Sequence, residues 1–239
     1  MSGKDFGASQ IFLCLCVLVF LLSTGACGSQ KANVLDKDGV VPVINKVVVM
    51  GFRAAMLQSQ EARVIRNPLS GGVVMAESVP QDVVEGMTVT LFDKLVAEER
   101  YGLISPGQAQ GVLSNIVASD INIGLDSLRI LQEVGVTFRA DAVLAGYIYR
   151  WRERAGGDYG VDSPASVAFD LCLIRPSDGR ILWKDKFDKT QRSWSENLFD
   201  SGTFFGAGGK WMTAQKLAML GLDRMLAQMP TGTKKRKGE

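Results

Sequence analysis

Three consecutive segments in the second half of the chain alternate apolar and polar residues, and this pattern limits the fold more than any other feature. The segments span residues 141–151, 166–174 and 180–188. Successive side chains of a strand point to opposite faces, so each segment would place its apolar residues on one face. These residues are Val143, Ala145, Tyr147, Tyr149 and Trp151, then Val167, Phe169, Leu171 and Leu173, and finally Ile181, Trp183 and Phe187. Pro176 and Gly179 favour a tight turn over 175–180, which predicts an antiparallel three-strand meander.

The first half of the chain predicts two further strands and the helices that cover the sheet. Residues 46–52 form a continuous apolar run of strand length, and residues 101–105 form a shorter one. Apolar stripes predict helices from Pro80 to Glu99, from Pro106 onward, from Leu125 to Val134 with Gly135 as its cap, and from Trp211 onward. Residues 53–79 show no sustained period and predict a long loop. The expected fold class is α+β, with a mixed sheet of about five strands and helices packed on it.

The first thirty residues predict export from the cytoplasm. No charge occurs between Phe6 and Gly28, and a 12-residue apolar stretch ends at Leu22. This pattern is typical of a signal peptide, which we assign to residues 1–26. Small residues precede Cys27, as in a bacterial lipobox, so Cys27 is the candidate lipidation site. Conventional cleavage and an uncleaved anchor are the alternatives.

If Cys27 is lipidated, residues 27–45 form a polar tether. Gly28 follows the cysteine, and the resemblance to lipoproteins without an aspartate at that place implies sorting to the outer membrane. The folded part would then face the periplasm. Cys172 is the remaining thiol of the mature chain, and its position in a predicted strand favours a small buried hydrophobe over a reactive group.

Composition and charge exclude several classes of function. The chain has no histidine, which removes histidine-based acid–base catalysis, Ser-His or Cys-His nucleophiles and His-ligated metals. Of the net charge of +2, residues 234–239 alone contribute +3, so the basic character lies in a tail over 230–239 that we expect to be disordered. A basic nucleic-acid-binding face is therefore not indicated. The Gly-Lys pair before Trp211 fails the phosphate-loop pattern, because a Ser or Thr is needed there.

No motif in the chain indicates catalysis, a metal or a cofactor, and we expect none of the three. Five aspartates in the second half could in principle pair for hydrolysis, but solvated strand ends and turns explain them better. They are Asp158, Asp162, Asp170, Asp185 and Asp188.

A second cluster is aromatic and lies in a glycine-rich segment between 194 and 209. Trp194, Phe199, Phe204 and Phe205 are the candidate partner-binding residues, with a satellite core as the alternative.

Three short motifs resemble a known envelope domain. They are Val47 to Phe52 for its first strand, Ala140 to Gly146 for an aspartate-to-glycine strand entry, and Asp178 to Trp183 for its hairpin. Over residues 46–228 the chain resembles the periplasmic domain at the N-terminus of the translocation protein TolB. Curli-secretion-type lipoproteins and lipoprotein activators of penicillin-binding proteins share this domain. Residues 46–229 would form it here.

The resemblance implies a non-enzymatic envelope module that binds other proteins, sometimes as a ring. Residues 53–56 depart from the Asn and Thr that often follow the family's first strand. We therefore expect an outer-membrane lipoprotein that binds envelope proteins or assists assembly, with homo-oligomerisation possible. The alternative is an oligomeric export-channel subunit in which loop 53–79 would contribute membrane hairpins. An enzyme of unknown type ranks third.

Overall fold

The computed structural model describes residues 43–56, 60–119, 127–157, 161–191 and 211–230. In chain order, the described strands and helices have the following bounds. They are β1 (Lys46–Ala54), β2 (Arg63–Arg66), β3 (Val73–Ala76), α1 (Gln81–Glu98), β4 (Gly102–Ile104), α2 (Pro106–Ser119), α3 (Ser127–Thr137), β5 (Ala142–Arg152), β6 (Ala155–Gly156), β7 (Val161–Ser163), β8 (Ser166–Ile174), β9 (Ile181–Thr190) and α4 (Ala214–Gln228). The fold is α+β, as predicted.

The main sheet has five strands in the order β4-β1-β5-β8-β9. Strand β1 is parallel to both β4 and β5, whereas β5, β8 and β9 form the predicted antiparallel meander. The turn between β8 and β9 is closed by Arg175 N–H donating to Arg180 O at 2.8 Å, and Gly179 takes a φ of +71°. This is the left-handed conformation for which the sequence supplies a glycine.

Helices cover both faces of the sheet. The buried stripe of α1, Val84, Met87, Leu91 and Leu95, packs with residues of α4 against one face. Helices α2 and α3 place Ala109, Leu113, Ile130 and Val134 on the opposite face. Val167, Phe169, Leu171 and Leu173 of β8 face α4, and Cys172 and Ile174 face α3. Strand β8 is therefore buried on both sides.

The entry to β1 is fixed by the carboxylate of Asp141. Its Oδ2 accepts the backbone N–H groups of Asn45 and Lys46, each at 2.8 Å. Lys46 in turn donates its ammonium to Phe138 O at 2.6 Å. Asp141 thus stabilises the parallel β1–β5 pairing at its first residues. This role explains the aspartate in the motif Ala140 to Gly146.

A bulge in β1 accounts for the glycine of the apolar run. The β1–β5 register shifts between Val49 and Gly51, and Gly51 has a φ of +79°. A Cβ at Gly51 would lie 2.7 Å from Thr88 Oγ1, and that hydroxyl accepts Phe52 N–H at 2.9 Å. Both the conformation and the close approach of α1 therefore require glycine.

The prediction of a continuous loop over 53–79 is wrong, because β2 and β3 form an antiparallel hairpin there. Each strand has four residues, and apolar side chains occupy both of its faces, so no alternating pattern is visible in the sequence.

The prediction that Gly135 caps its helix is also wrong. Helix α3 continues to Thr137, and Arg139 takes the left-handed φ of +48°. Arg139 N–H donates to Val136 O, and Ala140 N–H donates to Gly135 O at 3.0 Å, which together form a Schellman ending. Gly135 is glycine because a Cβ there would lie 2.7 Å from Val143 Cγ2 and closer still to Pro176.

Two bulges move predicted residues to the other face of the sheet. The β5–β8 register shifts between Ile148 and Arg150, so Trp151 packs with the α1 and α4 core and not with Tyr149. The β8–β9 register shifts beside Ile174, so Ile181 lies on the α3 side while Trp183 lies on the α4 side. One inserted residue moves all later side chains of the strand to the opposite face of the sheet, and a prediction from strict alternation does not include such an insertion.

Candidate functional site

The β2–β3 hairpin lies on the α3 side of the sheet, over the end of β5 that α3 leaves uncovered. Its inward side chains Ile65, Val74 and Ala76 pack with Met56, Tyr149 and Ala168. A backbone hydrogen bond also attaches the hairpin to β5, because Glu77 N–H donates to Tyr149 O at 2.7 Å. The hairpin is therefore a packed part of the domain.

One buried amide fastens the hairpin turn. Asn67 is 2% exposed, and its Oδ1 accepts the N–H groups of Leu69 at 2.6 Å and Ser70 at 2.7 Å. Its Nδ2 donates to the Tyr149 hydroxyl and to Asp170 Oδ2. The same side chain thus shapes the turn and ties it to the sheet.

Asp170 is the buried acid to which the turn is tied. Tyr149 donates its hydroxyl to Asp170 Oδ2 at 2.8 Å, and Tyr147 N–H donates to Oδ1 at 3.2 Å. Burial raises the pKa of Asp170 above its ordinary value, although these hydrogen bonds oppose that shift. Burial and the neighbouring Asp170 also raise the pKa of Tyr149. The sequence interpretation of Asp170 as a solvated carboxylate is wrong.

The described surroundings of Asp170 indicate a structural role. Both of its oxygens accept hydrogen bonds, and the residue is only 6% exposed. A general acid or base must reach a substrate proton within hydrogen-bond distance. The Asn67–Tyr149–Asp170 cluster instead uses its polar groups to hold the hairpin.

The outward face of the hairpin is apolar and exposed. Val64 and Met75 lie directly opposite each other in the register, and Val73 follows on the same face. Their exposed fractions are 59% for Val64, 48% for Met75 and 64% for Val73. We call these three residues the hairpin face. Large apolar side chains clustered on an exposed sheet surface favour contact with another macromolecule.

Arg66 lies on the hairpin face beside Val64, whereas Arg63, which pairs with Ala76, lies on the inward side with Ile65. Arg66 pairs with Val73 across the hairpin, and Arg63 begins β2. Arg66 donates to Gly71 O at 3.2 Å, and Arg63 donates to Gln60 Oε1 at 3.3 Å. Within the part of the chain that the structure describes, neither guanidinium forms an ion pair. The border of the hairpin face is therefore cationic and open to an acidic group.

A narrow cleft lies between the hairpin turn and α3. Leu69 lines one wall, Ile130 and Leu131 line the other, and Gly51 and Gly146 form part of the lining. Arg53 is the charged residue among those that line it.

The sequence-predicted site residues are placed as follows. Cys27 and the aromatic candidates Trp194, Phe199, Phe204 and Phe205 lie outside the described residues. Cys172 is described, and it is the buried residue that the sequence predicts. Burial, followed by the charge of Asp170, raises the pKa of the Cys172 thiol to about 12.

Sequence reasoning missed the hairpin face and its buried support. The available signal was the turn chemistry of Asn67-Pro68 and Gly71-Gly72 between two short apolar runs. Asp170 could have been noticed as the one charged residue inside the apolar run of β8. Its partner Asn67 lies 103 positions away, and no local pattern joins the two residues.

The described residues show neither a candidate metal site nor a candidate membrane span. They contain no group of three or more His, Cys, Asp or Glu placed to hold a metal ion. No helix among them combines the length and hydropathy needed to cross a membrane.

No protein-family model matches the chain, and no curated protein matches it. Solved structures do match. One is the lipoprotein GNA1162 from Neisseria meningitidis, with 15% identity, a TM-score of 0.40, and coverage of 68% of this chain and 94% of that chain. Another is the C-terminal domain of LpoB from Escherichia coli, with 15% identity, a TM-score of 0.37, and coverage of 64% and 87%.

A third similar structure is the PelC dodecamer from Paraburkholderia phytofirmans. It has 17% identity and a TM-score of 0.34, with coverage of 62% of this chain and 71% of that chain. Identities and TM-scores this low do not establish membership of a family. The resemblance to the TolB N-terminal domain therefore stays a prediction from the sequence.

Proposed function

We propose that the chain is an outer-membrane-anchored periplasmic lipoprotein that acts as a non-enzymatic binding or assembly component of the cell envelope. The observation that carries the binding role is the hairpin face, three exposed apolar side chains on a firmly attached element. Exposing them has no benefit for the isolated domain, since burying apolar surface is favourable. A partner surface would supply that burial.

The location follows from the N-terminal sequence. The apolar stretch that ends before Cys27 supports export and lipidation, and the lipid would tether the domain through residues 27–45. We expect Cys27→Ser to abolish metabolic labelling with a radioactive fatty acid and to release the protein from membranes. Labelling that survives this substitution would contradict lipidation at Cys27.

The binding role is tested by replacing exposed apolar residues with serine. Val64→Ser combined with Val73→Ser should reduce crosslinks to envelope proteins in intact cells while leaving the melting temperature nearly unchanged, because both side chains already contact water. Val136→Ser is the matched control, since Val136 of α3 is also 59% exposed but lies outside the hairpin. An unchanged crosslink pattern in the double variant would contradict the role of the hairpin face.

The aromatic residues Trp194, Phe199, Phe204 and Phe205 remain a second candidate surface for partners, proposed from composition alone. Phe204→Ser with Phe205→Ser tests them in the same crosslinking assay. Loss of crosslinks in that variant, with no loss in the hairpin variant, would move the proposed interface to this segment.

A further inference from the structure

Helix α1 carries a second exposed apolar stripe, and its border is acidic. Val89 and Val96 are 60% and 49% exposed and lie seven residues apart, so they share one side of the helix. Asp82, Glu85 and Asp93 are seven before, four before and four after Val89, which places them on that same side. We call these five residues the α1 face.

The acidic groups of the α1 face are open to a partner. Glu85 accepts a hydrogen bond from Gln81 at 3.2 Å, which leaves its charge uncompensated. Within the described ranges, Asp82 and Asp93 form no ion pair, and the neighbouring Lys94 pairs with Asp223 of α4 at 2.5 Å. The α1 face is thus apolar at its centre and anionic at its border.

The hairpin face and the α1 face lie on opposite sides of the sheet. The hairpin packs on Tyr149 and Ala168, on the same side as α3, whereas α1 packs with α4 on the other side. One surface joins apolar residues to Arg66, and the other joins apolar residues to carboxylates. Two surfaces that are complementary but cannot meet within one molecule can meet between molecules.

From this complementarity we propose that the hairpin face of one copy docks on the α1 face of a second copy. The inference deepens the proposed function and rests on it, because it names a second copy of this chain as the partner. Valine and methionine side chains would form the centre of the contact, and Arg66 would approach Glu85 and Asp93. Because the two faces differ, the contact is head-to-tail and leaves one free face at each end. Repetition of such a contact gives a ring or a filament.

Charge reversal tests the pairing directly. One variant carries Arg66→Glu, and the other carries Glu85→Lys and Asp93→Lys. The full chain is expressed with two different affinity tags, purified in detergent and assayed by co-purification of the tags and by sedimentation. Each variant alone places like charges across the contact, so its self-association should weaken roughly tenfold or more.

Mixing the two variants should restore association, because the reversed hairpin of one copy then meets the reversed helix of the other. The chain with all three substitutions should also associate with itself. Lys216→Glu is the matched control for Arg66→Glu, because it makes the same change in net charge at an exposed position of α4. Melting curves of every variant establish that it is folded.

A wild-type chain that stays monomeric throughout would overturn the inference, and so would variants that associate as the wild type does. Weakening without rescue on mixing would also overturn it, because the two faces would then not contact each other. These outcomes leave the proposed function intact if hairpin crosslinks to other envelope proteins persist. If the hairpin gave no crosslinks to other copies of the chain and none to other envelope proteins, the proposed function itself would be contradicted.

Discussion

At the scale of single residues, the hairpin depends on a polar contact that is buried together with a carboxylate. Asn67 donates to Asp170 and Tyr149, and its carbonyl oxygen accepts two N–H groups of its own turn. A buried acid without donors would be costly, because desolvation disfavours its charged form. Here the donors come from the hairpin turn and from β5, so the acid links the two elements.

The raised pKa of Asp170 predicts how stability depends on pH. In the folded protein Asp170 keeps its proton to a higher pH than in the unfolded chain, where its pKa has the ordinary value of 3.8. This difference stabilises the fold fully below pH 3.8, and the stabilisation is lost as pH rises through the folded pKa. The unfolding free energy of the wild type should therefore fall, relative to Asp170→Asn, as pH rises from about 4. Denaturant titrations of both proteins at several pH values measure this difference.

Asp188 changes stability in a different pH range. Burial raises the pKa of Asp188, but hydrogen bonds from Arg150 and Lys186 outweigh this and lower it overall. The stability that ionised Asp188 contributes is present above pH 3.8 and is lost as pH falls below that value. The change expected for Asp170 occurs above pH 3.8, so the two effects can be separated. A difference between wild type and Asp170→Asn that stays constant with pH would contradict the assignment of Asp170.

The role of Asp170 was only partly predictable from the sequence. Alternation places it on the same side of β8 as Cys172, which was predicted to be buried, but Asp170 itself was expected to be solvated and is buried. Its polar partners could not be inferred, because Asn67 belongs to a turn whose strands have no visible period. A buried polar contact between distant residues has no local sequence signal.

At the scale of elements, helix α3 shows how a glycine can be misread. Its Gly135 follows an apolar stripe, which is where a helix-ending glycine is expected. The structure uses this glycine for close packing against Val143 and Pro176, and Arg139 takes the left-handed position that ends the helix. Strands and helices with long apolar patterns were predicted correctly, whereas bulges and this helix end depend on tertiary contacts.

Two helical glycines give a matched test of this difference. Gly135→Ala should destabilise the protein by about 1 to 3 kcal/mol, because the added methyl overpacks a contact with Val143 and Pro176. Gly111→Ala in α2 should stabilise it by about 0.5 to 1 kcal/mol, because no atom lies within 4 Å of the added Cβ. Chemical denaturation of the two variants measures both effects. Equal effects of the two substitutions would contradict the packing role of Gly135.

At the scale of the whole molecule, the described domain presents two apolar surfaces on opposite sides of one sheet. The hairpin face has a cationic border and the α1 face an anionic one. The sequence predicted the helix that carries the second surface but not the hairpin that carries the first. It predicted an envelope binding protein through its N-terminal pattern and the resemblance to the TolB domain, whereas the proposed binding surface was not visible until the structure showed the hairpin.

The central claim is that the hairpin face contacts a protein partner in the cell. A photo-crosslinking amino acid placed at Val64 of the full chain, and in a separate strain at Val136, tests it directly, because both positions are 59% exposed. Illumination of intact cells should give discrete protein adducts from position 64, identified by mass spectrometry, and few or none from position 136. Equal adduct patterns at both positions, or no adduct at position 64 in a protein that is folded and membrane-bound, would contradict the claim.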